Sequence, residues 1–325
     1  MPRTKKSQQP AITITSERVP TRDGFGKGLV EAGRLNEQIV VLCADLAEST
    51  RCHWFAQEFP HRFIEVGVAE QNLAVLASGM AAVGKVPFIA SYATFSPGRN
   101  NEQIRTNICL NNQPVKVIGC HAGLSVGPDG ATHQALEDIA LMRVLPRMTV
   151  VVPCDSLEAH KATLAIADLA GPAYLRLGRE AVQTITTPET PFEIGKANVM
   201  REGNDLAIIA CGVMVHEALA AAQILAEEGI ESRVINMHTI KPLDTKALAK
   251  AASECGRFVV AEEHQEAGGL GSAVAEWSAS SHPVPMEFIG VQDRFGQSGS
   301  PEELMRHYGL TAQAIVEAAR RVQKR

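Results

Sequence analysis

Short runs of consecutive apolar residues, each followed by a helical stretch, recur along this chain. The first block carries them at QIVVLCA (38–44), VPFIAS (86–91), PVKVIGC (114–120), MTVVVP (148–153) and AYLRL (173–177), with helical stretches such as 155–169 between them. The second block repeats the pattern at DLAIIACG (205–212), SRVINM (232–237) and RFVVAEE (257–263), with helices near 214–228, 244–253 and 269–279. Strands that are apolar throughout and alternate with helices predict an α/β protein with two doubly wound, mostly parallel sheets covered on both faces. Between the blocks, QTITTPETPFEIG (183–195) is rich in threonine and proline and has little apolar periodicity, so it reads as a linker. The expected organisation is a flexible tail at 1–18, a first domain at 19–182, the linker, and a second domain at 196–325.

One segment departs from this scheme. Ile64, Val66 and Val68 alternate like a strand, Gly67 interrupts them, and AEQNLAVLASGMAAVG (69–84) is small and apolar on nearly every face. A helix without a polar stripe is buried all round, and because one sheet covers only one side, the other side is expected against another subunit. Glu70 stands in its first turn. Burial would raise its pKa and turn it into a neutral hydrogen-bond donor; as a plain surface acid it would only offset the helix dipole.

Composition narrows the function classes. The chain has 325 residues, 45% hydrophobic and 21% charged, with a net charge of −5, which suits an ordinary globular protein and gives no electrostatic footprint for nucleic acid. No apolar run approaches the roughly 20 residues of a membrane span. The N-terminus MPRTKKSQQP lacks the apolar stretch of a signal peptide, so a cytoplasmic protein is expected. The seven cysteines form no CxxC pair, and Cys43, Cys109, Cys120 and Cys211 sit in apolar surroundings as small core residues. The glycines Gly268, Gly269 and Gly271 lack the G-x-G-x-x-G order of a dinucleotide fingerprint and read as a structural strand-to-helix turn.

The densest polar chemistry lies in CHAGLSVGPDGATHQALED (120–138), which follows the strand PVKVIG and so begins at the carboxyl edge of a parallel sheet, where open α/β folds bind ligands. It carries His121, Asp129 and His133. Two histidines and an aspartate would also suit a metal, although the spacing is not that of a usual knuckle, and Asp129 would also suit an Asx turn. Tyr92 and Phe95 follow another strand, as core residues or as a stacking surface. Arg22 and Arg179 are each, taken singly, ordinary surface charges.

Several of these strings together resemble the transketolase family of thiamine-diphosphate enzymes. RFIEVGVAEQN is similar to its cofactor-activating segment, DGATHQ to the D-G-x-T-H-Q pattern shared with deoxyxylulose-phosphate synthase, and HTIKPLD with VAEEHQEAGGLGSAVAE to its C-terminal domain. The resemblance implies that Glu70 hydrogen-bonds the cofactor's pyrimidine nitrogen, that Phe95, with Tyr92 beside it, stacks on that ring, and that Asp45 and Leu46 of VLCADLAEST lie near the cofactor. It further implies that Asp129 and His133 contact sugar hydroxyls, and that Arg22, Ser49, His121 and Arg179 meet a substrate phosphate, a task suited to guanidinium forks. After Phe95, where the family usually has further aromatics, this chain runs SPGRNNEQIR. The family's GDG motif and following asparagine, which hold Mg²⁺ and the diphosphate, are absent. The resemblance covers residues from about 20 to the end and thus two of the family's three domains.

The chain is therefore expected to be the C-terminal subunit of a split transketolase, transferring a two-carbon ketol unit between sugar phosphates. Its cofactors would be thiamine diphosphate and Mg²⁺, the ion held mainly by an N-terminal partner with the GDG domain, and it would dimerise within a heterotetramer. No metal ligands are expected in this chain, nor contact with nucleic acid or membrane. The competing readings are an enzyme for an unusual or sulfonated sugar, a deoxyxylulose-phosphate-synthase-like enzyme, a 2-oxo acid dehydrogenase beta subunit, which lacks D-G-x-T-H-Q, and a non-catalytic homologue.

Overall fold

The computed structural model describes residues 17–325. Its strands are β1 (Arg18–Pro20), β2 (Ile39–Cys43), β3 (Phe63–Glu65), β4 (Val86–Tyr92), β5 (Lys116–Cys120), β6 (Thr149–Val151), β7 (Ala173–Arg176) and β8 (Ala181–Gln183), then β9 (Asn198–Arg201), β10 (Leu206–Ala210), β11 (Ser232–Asn236), β12 (Thr239–Lys241), β13 (Phe258–Gln265) and β14 (Met286–Val291). The apolar runs read from the sequence form β2, β4, β5, β6, β7, β10, β11 and β13. The expected tail falls largely on residues outside the described range. Arg18, counted with it, opens β1, and β1 pairs antiparallel with β8, so Gln183 belongs to that ribbon rather than to the linker.

One sheet has seven strands in the order β12-β6-β7-β5-β4-β2-β3, and a second has five in the order β14-β13-β10-β11-β9. Each is parallel except for one antiparallel edge strand, β12 and β9 respectively. β12 comes from the second half of the chain yet pairs with β6 of the first, where it covers an edge that would otherwise offer unpaired backbone groups. One core joins the halves: Val150, Val152 and Tyr174 pack in the same cluster as Ile209, Ile235 and Phe258.

The helix Glu70–Ala82 buries Leu73, Ala74, Ala77, Ser78 and Ala81 at helical spacing against this core. Its opposite side is apolar and open, with Val75 46%, Leu76 41% and the following Val83 79% exposed. Burial all round is thus met on one face within the chain.

The helix Thr21–Leu35, which delivers Arg22, has no strong apolar pattern because four of its positions are glycine. They serve packing: a Cβ on Gly24 would lie 1.8 Å from the carbonyl oxygen of Ser156, so only glycine admits the helix Ser156–Ala167 this close. All seven cysteines are buried and free. Among the described residues, no helix is long and apolar enough to cross a membrane.

Candidate active site

The candidate residues converge because parallel strands deliver them to one edge. Asp45, Leu46 and Ser49 follow the carboxyl end of β2, Glu70 follows β3, Tyr92 ends β4, His121 follows β5 and Arg179 follows β7. Glu65, which sequence reasoning passed over, ties the first two of these turns together. Its Oε1 accepts from the amides of Asp45 at 2.7 Å and Gly67 at 2.9 Å, and Asp45 adopts a positive φ of 58°.

At the centre, the His121 ring stacks on Tyr92 with centroids 3.9 Å apart. Phe95 lies parallel to Tyr92 at 6.1 Å, and His133 stands edge-on to Phe95 at 5.4 Å. Arg22 donates from Nη1 to the Ser49 carbonyl at 3.0 Å and to His121 Nε2 at 3.1 Å. Burial first, then Arg22, Arg179, Arg51 and His133, pushes His121 down to about 3, so its imidazole is neutral at neutral pH. Since arginine only donates, Nε2 accepts and the ring proton resides on Nδ1, a buried atom without a partner. Arg22 Nε is likewise buried and unpartnered, and burial followed by Arg51 lowers its pKa. Arg51 is a third cation the motif reading overlooked; it follows Ser49 by two positions and is anchored on Asp23 at 2.6 Å.

Arg179 donates to the Val126 carbonyl at 2.9 Å and lies 3.6 Å from Asp129. The two groups expected at opposite ends of a substrate therefore face each other here. Thr132 Oγ1 is 2.9 Å from His133 Nδ1.

Glu70 is 2% exposed, and its Oε2 accepts from Arg99 Nη1 at 3.0 Å. Arg99, in the stretch where further aromatics were expected, also lies over the Phe95 ring at 4.9 Å, so a guanidinium extends the aromatic wall. Asn100 fixes the start of the helix by donating to the Glu70 carbonyl at 3.0 Å. The Gly268–Gly271 turn is structural, as read: the buried Glu262 carboxylate accepts from the amides of Leu270 at 2.7 Å and Gly271 at 2.8 Å, filling the helix end a phosphate would need.

Comparison with known proteins bears on the chain as a whole. The family model for the transketolase pyrimidine-binding domain matches residues 17–184, and that for the transketolase C-terminal domain matches residues 195–315. A putative transketolase C-terminal section from Methanocaldococcus jannaschii is 43% identical over 300 residues, spanning 91% of this chain and 94% of the relative. A 6-deoxy-6-sulfo-D-fructose transketolase subunit from Clostridium sp. is 40% identical over 304 residues, 94% of each chain. A solved structure described as a split gene transketolase, inactive beta4 tetramer, superposes with a TM-score of 0.89 at 45% identity, covering 94% of this chain and 99% of that one.

Proposed function

Because the chain belongs to the transketolase family, we propose that it is the subunit of a split, thiamine-diphosphate-dependent transketolase that carries the pyrimidine-binding and C-terminal domains. A partner subunit would hold Mg²⁺ and the diphosphate. The observation that carries this reading is the pairing, on one sheet edge, of a buried carboxylate beside an aromatic wall with a cluster of three arginines around a neutral histidine.

The residues fit the pyrimidine half of thiamine diphosphate. Glu70 keeps Oε1 free of protein donors among the described residues, and Phe95 and Tyr92 offer flat apolar surface next to it. When bound, the cofactor supplies the nucleophilic carbon that carries the ketol unit. Glu70 would hold a carboxyl against the pyrimidine ring and manage its proton, with Asp45 and Leu46 bordering it. Asp129 and His133 would orient donor hydroxyls near the reacting carbon. Arg22, Ser49, Arg179 and the Nδ1–H of His121 would grip the phosphate through charge-assisted bonds, and since Arg179 lies 3.6 Å from Asp129 those two side chains would have to part as the substrate enters.

A sulfonated sugar is a second reading, favoured because the relative from Clostridium is described as acting on one and because an arginine cluster grips a sulfonate as readily as a phosphate. The open face of the helix Glu70–Ala82 would pair with a second copy of the chain, in keeping with a relative described as a tetramer of beta chains.

The test is reconstitution with a GDG-bearing partner, thiamine diphosphate and Mg²⁺. Ketol transfer should appear only with all components present, and Glu70→Gln should lower kcat by about 10²–10⁴-fold without unfolding the chain. Wild-type turnover by Glu70→Gln would overturn the assignment. Acceptors differing only in phosphate or sulfonate would separate the two substrate readings.

A further inference from the structure

The loop that carries His121, Asp129 and His133 has little regular structure of its own, a single 3₁₀ turn at Leu124–Val126. Its shape is imposed from outside, and much of the imposing surface belongs to the second half of the chain. Glu263 of β13 is 4% exposed, and its Oε1 accepts from the Ser125 amide at 2.7 Å, midway between His121 and Asp129. Gly123 presses on the same carboxylate: a Cβ there would lie 2.3 Å from Glu263 Cδ, and its φ of +88° is one that other residues resist.

Glu263 is itself fixed. Arg176 at the end of β7 donates to the Glu263 carbonyl at 2.8 Å and to Asp138 Oδ2 at 2.8 Å, and the Tyr174 hydroxyl meets that same Asp138 oxygen at 2.6 Å. Gln265, two residues on, donates its backbone amide to the Leu136 carbonyl at 2.8 Å. Both ends of the loop are thus tied to one strand. Burying an acid costs solvation free energy, which raises the pKa of the Glu263 carboxyl and which the nearby Arg176 and the bond from Ser125 offset only in part.

We propose that Glu263 is a positioning residue for the substrate site, its carboxylate setting the arch that aims His121 and Asp129 across the sheet edge. This rests on the reading of that loop as the substrate loop. The second half of the chain thereby takes part in setting the geometry of a site whose contacting side chains all come from the first. Glu70, Tyr92 and Phe95 follow β3 and β4 rather than the arch, and only their packing against His121 and His133 couples them to it, so cofactor binding is expected to depend on Glu263 far less than turnover does.

The experiment compares Glu263→Ala and Glu263→Gln in the reconstituted complex, well below the melting temperature, together with hydrogen exchange. Glu263→Ala should lower kcat/KM for the ketose by about ten- to a hundredfold, as small misplacements of positioning groups do, while changing the Kd for thiamine diphosphate far less. Glu263→Gln, which keeps an acceptor oxygen for Ser125, should recover most of the loss. Amide exchange in Glu263→Ala should rise in 121–133 and stay unchanged in the helix Met214–Glu227. If Glu263→Ala does not fold, Gly123→Ala displaces the loop from the carboxylate and takes the same readouts. Unchanged exchange in the loop, a Gln variant as impaired as Ala, or an equal loss of cofactor affinity overturns the proposal. Were the wild-type complex to show no ketol transfer, the transketolase reading would fall, and the loop exchange would still decide whether Glu263 holds the arch.

Discussion

His121 shows how a single side chain is set by its neighbours. Packed on Tyr92 and facing arginines, it stays neutral down to about 3, whereas in the unfolded chain it titrates at its ordinary 6.5. As pH falls through that window the unfolded state takes up a proton that the folded state refuses, so acidification erodes stability. His121→Asn should flatten this part of the pH dependence, read as the urea midpoint at successive pH values; an unchanged slope would contradict it. Arg179 makes a second test. Gripping a distant phosphate is uniform binding, so Arg179→Ala should raise KM for a phosphorylated acceptor about ten- to a hundredfold, as loss of a contact worth roughly 1.5–3 kcal/mol, with little change in kcat. Equal weakening toward the unphosphorylated acceptor would remove the phosphate role. Because Arg179 lies 3.6 Å from Asp129, its loss also frees that carboxylate, and the Asp129→Ala, Arg179→Ala pair should be non-additive.

The helix Glu70–Ala82 carries two unlike faces that composition cannot tell apart. Ala77 is fully buried in the chain's own core, while Leu76 beside it is 41% exposed. Ala77→Arg should therefore unfold the chain, since it buries an unpaired charge, and Leu76→Arg should leave the circular dichroism intact while reducing the assembled mass seen by light scattering. A Leu76→Arg chain that assembles like the wild type would exclude this face from the interface. The contrast also explains the limits of pattern reading. The helix itself was plain from its apolar run, yet which side met the core depended on β4 lying against it. The glycine-rich helix Thr21–Leu35 gave no comparable signal, because its residues were chosen by the approach of the helix Ser156–Ala167 rather than by propensity.

Across the whole molecule, the two halves are joined by β12, by a common core and by Arg176, which is paired with the buried Asp138 and donates to the Glu263 carbonyl at 2.8 Å. They should melt in one calorimetric transition, and Arg176→Leu, which strands a buried carboxylate, should cost about 3–5 kcal/mol. Two separate transitions in the wild type would contradict this. What the sequence determined by itself is the inner strands of the two sheets, the alternation that makes those sheets mostly parallel, and the family strings that mark Glu70, Asp129 and His133. These are legible because they depend on residues close together along the chain: apolar runs, turn glycines, short motifs. Tertiary structure alone decided that Arg99 reaches Glu70, that Arg51 joins Arg22 and Arg179 around His121, and that Glu263, far along the chain, shapes the loop of Ser125. Those relations are contacts between distant segments, made where strand order and helix packing bring charges together, and no local pattern of side chains encodes them.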